Sequence, residues 1–175
     1  LAIHGGEVDE PNDHVRATLL LGARRIGHGL NLITDDDLML DMRYGPYLIE
    51  TNLISNLLLN YVDDYAQHPF PEFLRTGIPV ALSTDDRGMW DSTLTDEFFV
   101  AVREFDLTCE EVVLLSRISL QYAFVDDETK ARLLADFDAR LARFERRMRR
   151  GRPALPEALP ETRLFVCNRY ALCGP

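Results

Sequence analysis

The 175-residue sequence is poor in cysteine, in positive charge and in long apolar runs, and each shortage removes a class of protein. Its three cysteines, Cys109, Cys167 and Cys173, make neither a disulfide framework nor a zinc knuckle. They read as free thiols in a reducing compartment, which favours a cytoplasmic location. No apolar run approaches the ~20 residues that span a bilayer, so no membrane-spanning helix is expected. Lysine and arginine total 19 against 29 aspartates and glutamates, a formal net charge of −10. Nucleic acid and anionic membrane surfaces would be repelled by that balance, so neither is expected as a partner. A small neutral or cationic ligand is the easier one. Low-complexity segments and short repeats are absent. So is an initiator methionine: Leu1-Ala2-Ile3 reads as the inside of a buried strand, and no leader can be read from such a start.

What remains is an ordinary globular composition, 46% hydrophobic and 27% charged, long enough to bury a core. Four similar units follow one another. Leu1–Ile3 is a short apolar strand ending at His4-Gly5-Gly6-Glu7, and residues 13–23 then show helical periodicity through Val15, Leu19 and Leu20. Ile26 lies in a second strand that ends at Gly27-His28-Gly29, before a helix opened by Asp35-Asp36-Asp37. Residues 47–50 form a third strand, followed by the polar turn Thr51-Asn52 and helical stretches at 55–65 and 71–76, the latter stopped by Gly77. Residues 78–82 form the fourth, ending at Ser83-Thr84-Asp85-Asp86. Apolar strands alternating with helices predict an α/β fold with a parallel sheet covered on both faces.

Beyond Asp86 the pattern is helical, at 95–105, 109–124 and 127–150. The last helix carries an apolar stripe of Leu133, Phe137, Leu141, Phe144 and Met148. Its arginines from Arg140 to Arg150 read as a solvated face that suits the helix dipole. Pro153, Pro156 and Pro160 mark an irregular tail over 151–175, after a domain covering 1–150.

The chemically capable side chains sit at the strand ends: His4 and Glu7, His28, and Asp85 with Asp86. In a (β/α)8 barrel those ends form the active-site mouth, where residues distant in sequence converge. Gly5-Gly6 and Gly27/Gly29 allow sharp turns and close approach to a ligand, although tight turns alone would also use them. Adjacent carboxylates at the end of a buried strand repel each other, and a divalent cation touching one of them offsets that cost. Imidazole with carboxylate, from His4 and Asp85, suits zinc or a similar borderline metal. His68, before Pro69, reads as a surface or turn residue. Met89 and Trp90 fit either a lid or packing against the next helix.

His4-Gly5-Gly6-Glu7, Arg25-Ile26-Gly27-His28-Gly29 and Leu82-Ser83-Thr84-Asp85-Asp86 resemble, in order and spacing, the signature blocks of the adenosine/AMP deaminase family, and Ser55-Asn56 matches a further family pattern. The resemblance spans roughly residues 1–145 and implies the C-terminal half of a (β/α)8 TIM barrel in a zinc-dependent hydrolase. The implied reaction is deamination of adenosine to inosine and ammonia, or of a related aminopurine nucleoside or nucleotide such as AMP. It implies His4 and Asp85 as ligands of one Zn2+, with Asp85 also holding the attacking water. Glu7 is implied as the acid that protonates the purine at N1, and burial beside an apolar strand would raise its pKa in that direction. His28 is implied as the residue orienting the zinc-bound hydroxide, and Asp86 as the carboxyl group hydrogen-bonding N7.

Gln67-His68-Pro69, the Tyr122 region and the helical end resemble the adenosine deaminase-related growth factor type. Gly29-Leu30-Asn31-Leu32 and Pro69-Phe70 look more like AMP deaminases. Three departures from the family pattern stand out: Gly5 for Ala or Cys, Arg87 for Pro, and Glu50-Thr51-Asn52 for a Cys-Pro or Ser-Pro. The family's His-x-His, which supplies two more zinc ligands, is absent. Four units where a barrel needs eight, against ~250 residues for a whole barrel, lead us to expect a missing N-terminal half in the same parent chain. The isolated chain is then expected to be inactive. A fragment or pseudoenzyme acting as a binding module is the rival reading.

Overall fold

The computed structural model describes residues 1–8, 13–151 and 164–172. Four parallel strands, β1 (Ala2–Gly5), β2 (Arg25–His28), β3 (Leu48–Thr51) and β4 (Val80–Leu82), lie side by side in chain order. Sequential order without reversal is the arc of a barrel; a doubly wound sheet reverses direction at a switch point. The expected half barrel is therefore what the chain forms. The third strand starts and ends one residue later than the sequence pattern suggests, and the fourth starts two later.

The register explains which residues face which way. Ile3, Ile26, Ile49 and Val80 are cross-strand neighbours, and His4, Gly27, Glu50 and Ala81 form the next row. Successive strand residues point to opposite faces, so the two rows look in opposite directions. Ile26, Ile49 and Val80 pack into one cluster with Val15 of helix α1 (Asp13–Leu20), Leu38 and Met42 of α2 (Asp36–Tyr44) and Phe73 of α4 (Phe70–Thr76). The His4 row therefore faces away from that helix layer. On this inner side Arg25 pairs with Glu50, donates to the Tyr122 carbonyl at 3.0 Å and lies over the Phe124 ring.

Between β3 and β4 the chain forms the six-residue helix α3 (Leu53–Leu58) and a 3-10 turn at Tyr65–Gln67 before α4, so the expected helix over 55–65 is cut short. After β4 come α5 (Arg87–Trp90), α6 (Leu94–Phe105), α7 (Cys109–Gln121) and α8 (Asp127–Arg149). Helices α6 and α7 each begin with a complete capping box, Thr93/Asp96 and Thr108/Glu111, which satisfies orphan amides at both starts. The apolar stripe of α8 is only partly covered: Leu133, Phe137 and Leu141 are half-buried, while Phe144 and Met148 are exposed. Its arginines are in part paired along the helix, Arg140 with Asp136 and Arg149 with Glu145.

Two expectations for the C-terminal part change. Leu164–Tyr170 is a helix, α9, where an irregular tail was expected, because Val166 is buried and Phe165 and Tyr170 pack on the core. Pro153, Pro156 and Pro160 lie outside the described residues. Cys109 is a free thiol as expected, but Cys167 is disulfide-bonded, which removes the premise of three free thiols. Among the described residues no helix is long and apolar enough to cross a membrane.

Candidate active site

Three of the strand-end residues come together. His4, Glu7 and His28 each offer a donor atom within 4.8 Å of the others. The His4 and His28 rings meet edge to face with centroids 4.8 Å apart. The Glu7 carboxylate reaches both, Oε2 lying 3.7 Å from His4 Nδ1 and Oε1 3.3 Å from His28 Nε2. Glu7 arrives there because Gly6 turns the chain at a φ of 67°, a region that disfavours side chains. Its side chain stays partly open to solvent, less enclosed than the sequence suggests.

Gly27 explains how His4 fits. The two are register partners, and a Cβ on Gly27 would stand 2.7 Å from His4 Cδ2. The imidazole therefore lies flush against backbone that has no side chain. His28 departs from strand geometry, with φ at 68°, and Asp85 does likewise at 49°. Left-handed backbone at a non-glycine residue costs of order 1–3 kcal/mol and persists where surrounding structure enforces it, commonly at functional sites.

Surrounding structure does enforce it, mainly through α3. Its N-cap residue Asn52 and its Asn56 both direct side-chain nitrogens at buried His28, Asn56 Nδ2 standing 3.0 Å from Nδ1. Asn52 Nδ2 is 3.2 Å and 3.3 Å from the two ring nitrogens. In the ring plane such a position would overlap Cε1, so this amide sits over the ring face. Ser55, on the same helix, donates its hydroxyl to Asp85 Oδ2 at 2.6 Å. Burial pushes the His28 imidazole below its ordinary pKa, more than the Glu7 and Asp85 charges raise it.

The helix is in turn held by Glu97 of α6. Its fully buried carboxylate accepts the backbone N–H groups of Leu53 and Ile54 at 3.0 Å and 3.3 Å, and burial pushes its pKa up to about 8. Sequence reasoning passed over Glu97. The signal was an acid on the apolar stripe of α6, one turn before Val100 and Ala101, both buried.

His68 is a correction. It does stand at a turn, its N–H donating to the Tyr65 carbonyl at 3.0 Å, but it is no surface residue: it is 4% exposed, and its Nε2 is 3.1 Å from Asn56 Oδ1. Burial drops its pKa to about 3. Nothing in His68-Pro69 signalled this, because the partner lies 12 residues upstream.

Asp85 is not part of the three-residue cluster; it stands at the end of the Ser55 hydrogen bond. Asp86 is exposed and does not cap α5 with its side chain, so capping does not explain it. Its φ of −79° and ψ of 65°, with the Arg87 N–H donating to the Asp85 carbonyl at 2.9 Å, make an inverse γ-turn. Arg87, in a position where proline could not donate, supplies that bond. Trp90 packs on the core and Met89 is exposed, which favours packing for the tryptophan. A groove of about 580 Å3 lined by Leu19, Leu20, Leu40 and Tyr44 lies among the helices and includes none of these site residues.

The donor set admits a metal. His4 and Asp85 offer imidazole nitrogen and carboxylate oxygen, the ligand types zinc takes. His28 is less suited despite its place in the cluster, because Asn56 occupies Nδ1 and Glu7 faces Nε2. Buried Asn52 Oδ1 has no hydrogen-bond partner among the described residues.

A family model for adenosine deaminase matches residues 1–140. An adenosine deaminase of Shewanella halifaxensis is 34% identical over 134 residues, which are 77% of this chain and 40% of that protein. The solved adenine deaminase of Arthrobacter aurescens superposes with a TM-score of 0.75 at 27% identity, covering 81% of this chain and 43% of that one. The N6-methyl-AMP deaminase of Arabidopsis thaliana gives 0.70 at 29% identity, over 79% and 40%. The chain thus spans about two fifths of the length of these relatives.

Proposed function

The chain belongs to the adenosine deaminase family, and on that premise we propose that the polypeptide carrying it is a zinc-dependent deaminase of adenosine. Water adds at C6 of the purine, the C6–N bond breaks, and inosine and ammonia leave. The observation that carries the reading is the Glu7 carboxylate set between two imidazoles at the strand ends. His4 and Asp85 would hold the zinc, with further ligands from an N-terminal half barrel in the same parent chain. When bound, zinc lowers the pKa of its water toward neutrality.

The remaining work falls to the protein's own groups. Glu7 hands a proton to N1 as C6 becomes tetrahedral. His28, held by Asn56, donates a hydrogen bond to the attacking oxygen. Ser55 keeps the Asp85 carboxylate aimed at the site, and exposed Asp86 contacts N7. A formal charge of −10 favours an unphosphorylated substrate. The likeness to an N6-methyl-AMP deaminase keeps a nucleotide as the second reading.

Ammonia release by the full-length protein, assayed on adenosine, adenine, AMP and N6-methyl-AMP, ranks these substrates. Glu7→Gln is expected to retain zinc while turnover falls ~10²–10⁴-fold, the usual share of a general acid. Unchanged turnover would remove Glu7 as the proton donor. Zinc and purine binding without turnover in the wild type would favour the binding-module reading.

A further inference from the structure

Resting on that reading, we propose that His68 and Asn56 are positioning residues that fix His28 as the tautomer with its proton on Nε2, so that His28 donates from Nε2 and does not act there as a base. The backbone N–H of Phe70 can only donate, and it points at His68 Nδ1 from 3.1 Å. Nδ1 of His68 is therefore the acceptor nitrogen. The ring is neutral, being buried and held far below the usual histidine range, so its one proton is on Nε2. That N–H donates to Asn56 Oδ1, at 3.1 Å.

The amide orientation of Asn56 follows. With Oδ1 turned to His68, Nδ2 faces His28 and donates to Nδ1 at 3.0 Å. His28 Nδ1 thus accepts, and the proton of this buried ring sits on Nε2, which faces Glu7 Oε1 at 3.3 Å. The first backbone amide of α4 sets, through two side chains, which way a hydrogen bond runs at the mouth of the site. Second-layer partners of this kind fix ring tautomers in many active sites.

The test reads the tautomer directly, in the full-length protein carrying 15N-labelled histidine. The wild-type His28 is expected to show a protonated Nε2 and an unprotonated Nδ1. Asn56→Asp, which offers only acceptors, is expected to reverse that pattern. His68→Phe leaves Asn56 free to flip; kcat is expected to fall ~10–100-fold with KM little changed. His68→Gln, whose amide nitrogen replaces Nε2, should restore most of the loss. An Nδ1-protonated His28 in the wild type overturns the proposal, as does an Asn56→Asp spectrum like the wild type. So does a His68→Gln variant no better than His68→Phe. The wild-type spectrum decides even where a variant does not fold. It also needs no turnover, so absence of deaminase activity would sink the function reading and leave this one standing on its own measurement.

Discussion

Gly27→Ala puts the seating of His4 to the test with a single methyl group. The backbone at Gly27 lies outside the left-handed region, so alanine meets no conformational penalty there. The new Cβ would stand 2.7 Å from His4 Cδ2, 3.2 Å from Cγ and 3.3 Å from Nε2. Carbon contacts settle at ~3.5–4.0 Å, so the ring must retreat by about 1 Å. Its side chain is 64% exposed, so it can move outward at little cost in stability, within about 0.5 kcal/mol. Function has no such slack. Metal ligands must stay within ~0.2 Å of their distances, and a 1 Å misplacement costs about 10²-fold in rate. We expect zinc affinity, from chelator competition, and kcat/KM to drop together while the urea midpoint hardly moves. Gly88→Ala, where nothing lies within 4 Å of the added atom, controls for the substitution itself. Zinc binding and turnover close to wild type in Gly27→Ala would refute the idea that His4 works from its place over Gly27.

Ser55→Ala removes the donor that holds Asp85 Oδ2 and should weaken zinc binding ~10–100-fold, read by calorimetry on the full-length protein; unchanged affinity would separate Asp85 from the metal. Glu97→Gln should change how stability depends on pH. The folded pKa of Glu97 is raised to about 8 from an ordinary 4.5, so the fold prefers its protonated form. Below the ordinary value both states are protonated and no penalty exists; as pH rises from there toward 8 the unfolded carboxyl ionises first and stability is lost. The wild type should therefore lose stability relative to Glu97→Gln across that window in urea titrations, and a flat difference would refute the buried neutral acid.

Strand ends were legible because they break a simple rule. An apolar run closing on Ser83-Thr84-Asp85-Asp86, or on Gly27-His28-Gly29, places polar atoms where only a site gives them use. The order of units likewise conveyed the parallel sheet. What stayed hidden depends on contacts between segments. His68 looks like a surface residue of a turn until α3 brings Asn56 against it. The first turn of α6 suits any acid, and only tertiary packing sends Glu97 to the amides of Leu53 and Ile54. Asp85 and His28 were singled out, but their left-handed backbone was not, since sequence patterns carry no φ. Helix α9 was missed because its prolines-rich approach suggested looseness, while Val166 buries itself in a core assembled from distant parts.

Helix α3 has only six residues, yet it touches two strand ends that are far apart in the chain, His28 through Asn56 and Asp85 through Ser55. It acts as a crosspiece, and Glu97 is the bolt that fastens it to α6. A tilt of this piece would move the His28 imidazole and the Asp85 carboxylate in concert, so the two groups do not drift independently. Anyone grafting the constellation onto another scaffold would have to carry the crosspiece and its bolt along with the residues that do the chemistry.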